Sequence, residues 1–88
     1  MSVDATDARL REAVERLQDI LAEVWSGNEG RPVDAVVPLR DLGVDSGAVV
    51  ALLARAQSEL GVEWPEDLAP GALESLAKVA RTVVECQA

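Results

Sequence analysis

The chain contains no His, no Phe and no Tyr, and it has one Cys and two Trp. Without His there is no Ser–His or Cys–His nucleophile pair and no imidazole ligand for zinc, and a single Cys allows no intrachain disulfide. Without Phe or Tyr the core has to be aliphatic, built from Leu, Val, Ile and Ala. Bases are scarce too: 8 Lys and Arg stand against 16 Asp and Glu, for a net charge of −8. Such a field repels nucleic acid and an anionic membrane surface. No apolar run approaches the ~20 residues that span a bilayer. The N-terminal residues lack the basic-then-apolar pattern of a signal peptide, which with the missing disulfides points to the cytoplasm.

What is there suits one small globular domain. Of 88 residues, 49% are hydrophobic, enough for a core. With no internal repeat and no break in composition, residues 1–88 read as a single domain with an ordered core over about 6–85. An aliphatic domain of this size has little room for a deep pocket, so no enzyme and no catalytic residue are expected. Asp41 and Asp45 lack a calcium-loop pattern, so no metal site is expected.

The periodicity is helical throughout. Leu10, Val14, Leu17, Leu21 and Val24 recur at i, i+4, i+7, i+11 and i+14, with Ala13, Ile20 and Trp25 widening the stripe. Asp4 or Thr6 is a candidate N-cap for this first helix. Ser26-Gly27-Asn28-Glu29-Gly30 stops it. A long connection from about Ser26 to Asp45 follows, and its Val33, Val36, Val37, Leu39 and Leu42 are expected to pack down over the bundle. The second helix starts near Asp45-Ser46, with Val49, Leu52, Leu53, Ala56 and Leu60 inward. It ends at Leu60-Gly61-Val62, where Gly takes the left-handed position and Val62 folds back. One short helical turn is expected in Trp64–Pro70, with Pro65 at its first position. A last helix runs from about Ala72 to Val84, with Leu73, Leu76, Ala80 and Val83 inward, and Cys86 lies in a frayed, inert tail. Trp25 and Trp64 read as core or core-edge residues. The expected fold is all-α: a small four-helix bundle of three main helices and one short one, with a long first loop.

Fold alone does not specify function. The informative residues are Leu42-Gly43-Val44-Asp45-Ser46, where two N-cap types stand side by side. One suffices to start a helix. If Asp45 caps, Ser46 becomes the first helical residue and its hydroxyl is left exposed at the tip. A phosphodiester on that hydroxyl would meet unpaired N–H groups and the positive end of the helix dipole.

Here the sequence resembles the acyl and peptidyl carrier proteins. Leu39-Arg40-Asp41-Leu42-Gly43-Val44-Asp45-Ser46 looks like that family's Leu-x-x-Leu-Gly-x-Asp-Ser stretch. Leu60-Gly61-Val62-Glu63-Trp64-Pro65 resembles its hydrophobic-Gly-Val-x-Ile-Pro segment, and Leu73 and Leu76 match its closing Val-x-x-Leu spacing. The resemblance covers about Leu10 to Val84. It implies a monomeric carrier, with 4′-phosphopantetheine attached to Ser46 by a phosphopantetheinyl transferase and Asp45 helping to position the Ser. Loading and acceptor enzymes would then exchange an acyl or aminoacyl thioester on the arm.

Three departures from the family pattern bear on this. Gly47 replaces the usual Leu or Ile after the Ser. Ala72 replaces a Thr or Ser helix cap, with Pro70-Gly71 expected to serve instead. The second helix carries few acids, unlike the carriers of bacterial fatty-acid synthesis, so its outer positions Gly47, Val50, Ala51, Ala54 and Arg55 are the expected partner surface. That points to a specialised polyketide or nonribosomal-peptide pathway. The alternative is a carrier-like acidic protein-interaction module without an arm.

Overall fold

The computed structural model describes residues 2–27, 33–68 and 70–87. Among these residues four α-helices follow in order: α1 (Ser2–Val24), α2 (Leu39–Leu42), α3 (Ser46–Leu60) and α4 (Leu76–Gln87), with a 3₁₀ turn at Pro70–Leu73 before α4. There is no strand among the described residues. The fold is thus the expected small all-α bundle.

The apolar stripe of α1 decides the packing. Ala13, Leu17, Ile20 and Leu21 are buried, and Leu10, Val14, Val24 and Trp25 pack against them half-buried. This face lies against α4 and α3. From α3 come Ala48, Leu52 and Ala56, and from α4 come Leu76, Val79, Ala80 and Val83. Three-to-four-residue spacing puts each set on one side of its helix, so three stripes close on one another. The α1 stripe ends where expected, with the Trp25 amide donating to Leu21 at 2.8 Å. The start differs: α1 already runs from Ser2, so Asp4 and Thr6 lie inside the helix and neither is its N-cap. Of the predicted stop, residues 28–30 lie outside the described residues.

The first connection is more ordered than expected. Its Leu39–Leu42 forms α2, which ends at Gly43 in the left-handed conformation (φ 88°). Four residues show no period, so this turn is invisible to a pattern search. Val33 and Leu39 are buried as expected, but Val36 is 73% exposed and does not pack on the bundle. Its amide is held instead by the Asp34 side chain at 3.1 Å. Two backbone bonds pin the connection to the far side of the bundle: Leu39 N to Glu74 O at 2.7 Å and Ala77 N to Ala35 O at 2.9 Å. Gln18 of α1 adds a side-chain bond to the Val33 carbonyl at 2.7 Å.

α3 matches its predicted limits at both ends. Asp45 caps the start, and Gly61 (φ 67°) ends it in the left-handed region that only Gly enters cheaply. Val62 then folds back and is fully buried. Trp64 sits half-buried at the core edge and donates its indole N–H to the Leu53 carbonyl at 2.9 Å.

The last third corrects three expectations. The short turn is not at Trp64–Pro70; it is the 3₁₀ turn that opens on Pro70, a residue whose fixed φ suits a helical start. α4 begins at Leu76 rather than Ala72, because Ala72 and Leu73 belong to that turn. Its cap is Ser75, a buried side chain that accepts from Lys78 N at 3.3 Å, so Pro70-Gly71 does not cap the helix. Cys86 lies within α4, half-buried against the core, not in a frayed tail.

Candidate functional site

The site is assembled at the corner between α2 and α3. Gly43 turns the chain, and its amide and that of Val44 return to the carbonyls of Arg40 and Leu39 at 3.1 Å each. Val44 is buried there, which anchors the corner from below. Asp45 is extended (φ −85°, ψ 171°), and its Oδ1 accepts from Ala48 N at 2.8 Å. Asp45 is therefore the cap and Ser46 the first helical residue, exposed, its hydroxyl without a hydrogen bond among the described residues. Of the two side-by-side cap types, the carboxylate does the capping and the hydroxyl is left over.

Beside Ser46 runs a groove of about 550 Å³. Leu39, Val44, Val49, Leu53 and Leu73 give it apolar walls, and Arg40, Ser46, Val50 and Glu74 stand around them. These residues come from α2 and the corner after it, from α3, and from the 3₁₀ turn with Glu74 just beyond, and the Leu39–Glu74 backbone bond ties the first segment to the last. A hollow of about 100 Å³ near Arg9, Arg16 and Val83 shares no lining residue with the groove.

The predicted outer positions of α3 divide between two surroundings. Gly47, Val50, Ala51 and Ala54 share one helix face, and Gly47, Val50 and Ala54 are exposed while Ala51 is half-buried. Val50, 65% exposed, also borders the groove with Ser46. Arg55 faces α1: it bonds Glu23 at 2.8 Å and its own helix neighbour Glu59 at 2.7 Å. Hydrogen bonding to Glu23, then to Glu59, holds its guanidinium further above the ordinary Arg value. Arg40 and the groove were missed in the sequence. The motif Leu39-Arg40-Asp41-Leu42 was visible, but the partners that complete the groove lie some thirty residues further on. Among the described residues, no group of three or more Cys, Asp or Glu side chains could hold a metal ion, and no helix is long and apolar enough to cross a membrane.

A family model described as phosphopantetheine attachment site matches residues 15–83, from within α1 to near the end of α4. The chain belongs to that family. The attachment domain so identified takes 4′-phosphopantetheine as its prosthetic group. No curated protein and no solved structure is significantly similar to the domain. The residues present fit such a group: the domain offers an exposed hydroxyl at a helix start, with no hydrogen bond among the described residues, beside a groove with apolar walls.

Proposed function

We propose that Ser46 carries the 4′-phosphopantetheine and that the domain tethers acyl or aminoacyl intermediates for partner enzymes. The observation that carries this reading is the division of labour at the start of α3. Asp45 satisfies the Ala48 amide, so the Ser46 oxygen is exposed and can be esterified without removing a bond from the fold. In the attachment step a transferase brings up coenzyme A. The Ser46 oxygen forms a bond to phosphorus, the phosphoanhydride bond breaks, the nucleotide departs and the hydroxyl proton is lost. Once bound, the group supplies a thiol at the end of a flexible arm, on which a carboxylic acid is held as a thioester. Asp45 holds the Ser backbone in place, and Gly47, Val50, Ala51, Ala54 and Arg55 form the surface that partners approach.

The sparse charge of α3, limited to Arg55 and Glu59 and both engaged, supports a specialised polyketide or nonribosomal-peptide carrier, which we take to act in the cytoplasm as a monomer. A second reading, an acidic interaction module without an arm, is favoured by Gly47, which leaves no apolar anchor after the Ser. Intact-mass measurement after incubation with coenzyme A and a promiscuous transferase separates the two. Wild type is expected to gain one phosphopantetheine and Ser46→Ala none; an unmodified wild type would leave the interaction module.

A further inference from the structure

We propose that Arg40 is the counter-cation of the phosphodiester on Ser46 and turns the attached arm over the groove instead of straight into solvent. The proposal rests on Ser46 as the attachment residue. Esterification converts a neutral hydroxyl into a permanent anion in a protein already at −8, immediately beside the Asp45 carboxylate and close in sequence to Asp41. The helix start offsets only part of this. The Ala48 amide is already engaged by Asp45 Oδ1 and the Val49 amide by the Asp45 carbonyl at 3.1 Å, which leaves the Ser46 and Gly47 amides.

Water and salt screen part of this exposed charge, and a cation on the same groove would offset more of it. Arg55 is held by Glu23 and Glu59, Arg16 lies 4.0 Å from Glu59, and Lys78 pairs with Glu74 at 3.4 Å. Arg40 is the one cation lining the groove that Ser46 also lines, and it has no ion pair among the described residues. Its position is set, not incidental. The Gly43 amide bonds the Arg40 carbonyl, and Leu39, next in the chain, is tied to Glu74. The Arg40 backbone is thus fixed relative to the start of α3, and its exposed side chain lines the same groove as Ser46. Glu74, the groove's other charge, is paired with Lys78 at 3.4 Å and forms no ion pair with Arg40. An anion drawn toward Arg40 is drawn toward the apolar wall of Val44, Val49 and Leu73, and the arm that starts from it follows.

The test compares unmodified and modified forms of the full chain for wild type, Arg40→Gln and Arg40→Lys. Arg40 is exposed on a short helix, so both variants are expected to fold. At low ionic strength (~10 mM), Arg40→Gln is expected to lower the Tm of the modified form by about 1–5 °C more than that of the unmodified form. Arg40→Lys should recover most of the difference, and ~1 M salt should abolish it. The phosphorus-31 resonance of the modified protein should move in Arg40→Gln and stay near its wild-type position in Arg40→Lys. On modification, the amide signals of Val44, Val49 and Leu73 should shift in wild type and shift less in Arg40→Gln. If Arg40→Gln lowers both forms equally and leaves the phosphorus resonance in place, or if its effect survives ~1 M salt, Arg40 is not the counter-cation. If wild type is not modified, or Ser46→Ala still is, the attachment reading itself fails, and intact mass reports that independently of Arg40.

Discussion

The Leu39 amide donates to the Glu74 carbonyl at 2.7 Å, joining the helix that leads into Ser46 to the segment that leads into α4. These residues are distant in sequence, and the bond between them sets the spacing of the two groove walls. It is a backbone bond, so no side-chain substitution removes it cleanly. Hydrogen exchange reads it directly. The Leu39 and Ala77 amides are expected to be protected nearly as well as the core of α3, because both opening events require the groove walls to part. The Val36 amide, held only by the exposed Asp34 carboxylate, should exchange fast. Rapid exchange at Leu39 would mean the groove is not a standing feature of the fold.

Asp45 and Ser46 are adjacent but carry different loads, and substitution should separate them. Asp45→Ala removes the acceptor for Ala48 N and is expected to cost about 0.5–2 kcal/mol, with Asp45→Asn recovering most of it. Ser46→Ala should leave stability within about 0.5 kcal/mol, as for surface positions free of such a role, while abolishing loading. Chemical denaturation together with intact mass checks both halves.

Gly47 carries no conformational obligation: a Cβ built there meets only Asp45 Oδ1, at an ordinary 3.6 Å. Gly47→Ala is therefore expected to stabilise the domain, by up to about 1 kcal/mol as in a helix interior and less in the first turn. If Gly47 matters for close approach of a partner, the same variant will slow transfer while raising Tm. A variant that raises Tm and leaves transfer unchanged would remove Gly47 from the partner surface.

The exposed face of α3 offers small, mostly apolar side chains, and the cation that α3 itself carries, Arg55, is engaged by α1 and by its own helix. Docking near Ser46 is accordingly expected to depend on shape and apolar contact, at about 25 cal/mol per Å² buried, more than on ion pairs that salt screens. Ala51→Arg and Ala54→Glu should weaken transfer to the cognate partner without unfolding the carrier. The protein's acidity contributes long-range steering of the on-rate. Transfer kinetics at low and high salt test this. A kcat/KM that collapses with salt, while both variants behave like wild type, would place recognition on the acidic part of the molecule.

Legibility followed the range of the physics. α3 could be read to the residue because its two ends are set by local chemistry: a carboxylate next to the chain it caps, and a Gly where φ must be positive. The stripes of α1 and α4 were legible for the same reason, since period is local. The start of α4 was misplaced because a 3₁₀ turn and a Ser75 cap stand between the expected start and the true one, and Ala72 and Leu73 fit either state. α2 is too short to show a period. The exposed hydroxyl of Ser46 could be anticipated from the doubled cap, but the groove beside it could not. Its walls come from three segments that only the folded backbone brings together, and Arg40 gains its meaning from that company.

α1 packs on α4 more than on any other element, and the fully buried Leu17, Ile20 and Leu21 of α1 are closed over in part by Val79, Ala80 and Val83. During synthesis these two halves of one core leave the ribosome at opposite times. Until α4 emerges, the apolar face of α1 lacks the element it packs on most, and the Ala35–Ala77 and Leu39–Glu74 bonds have one partner each. The nascent chain is therefore expected to gain most of its stability only when α4 docks. Assembly is expected to be a single late event, and a chain cut before α4 is expected to expose part of its aliphatic stripe rather than to form a smaller carrier.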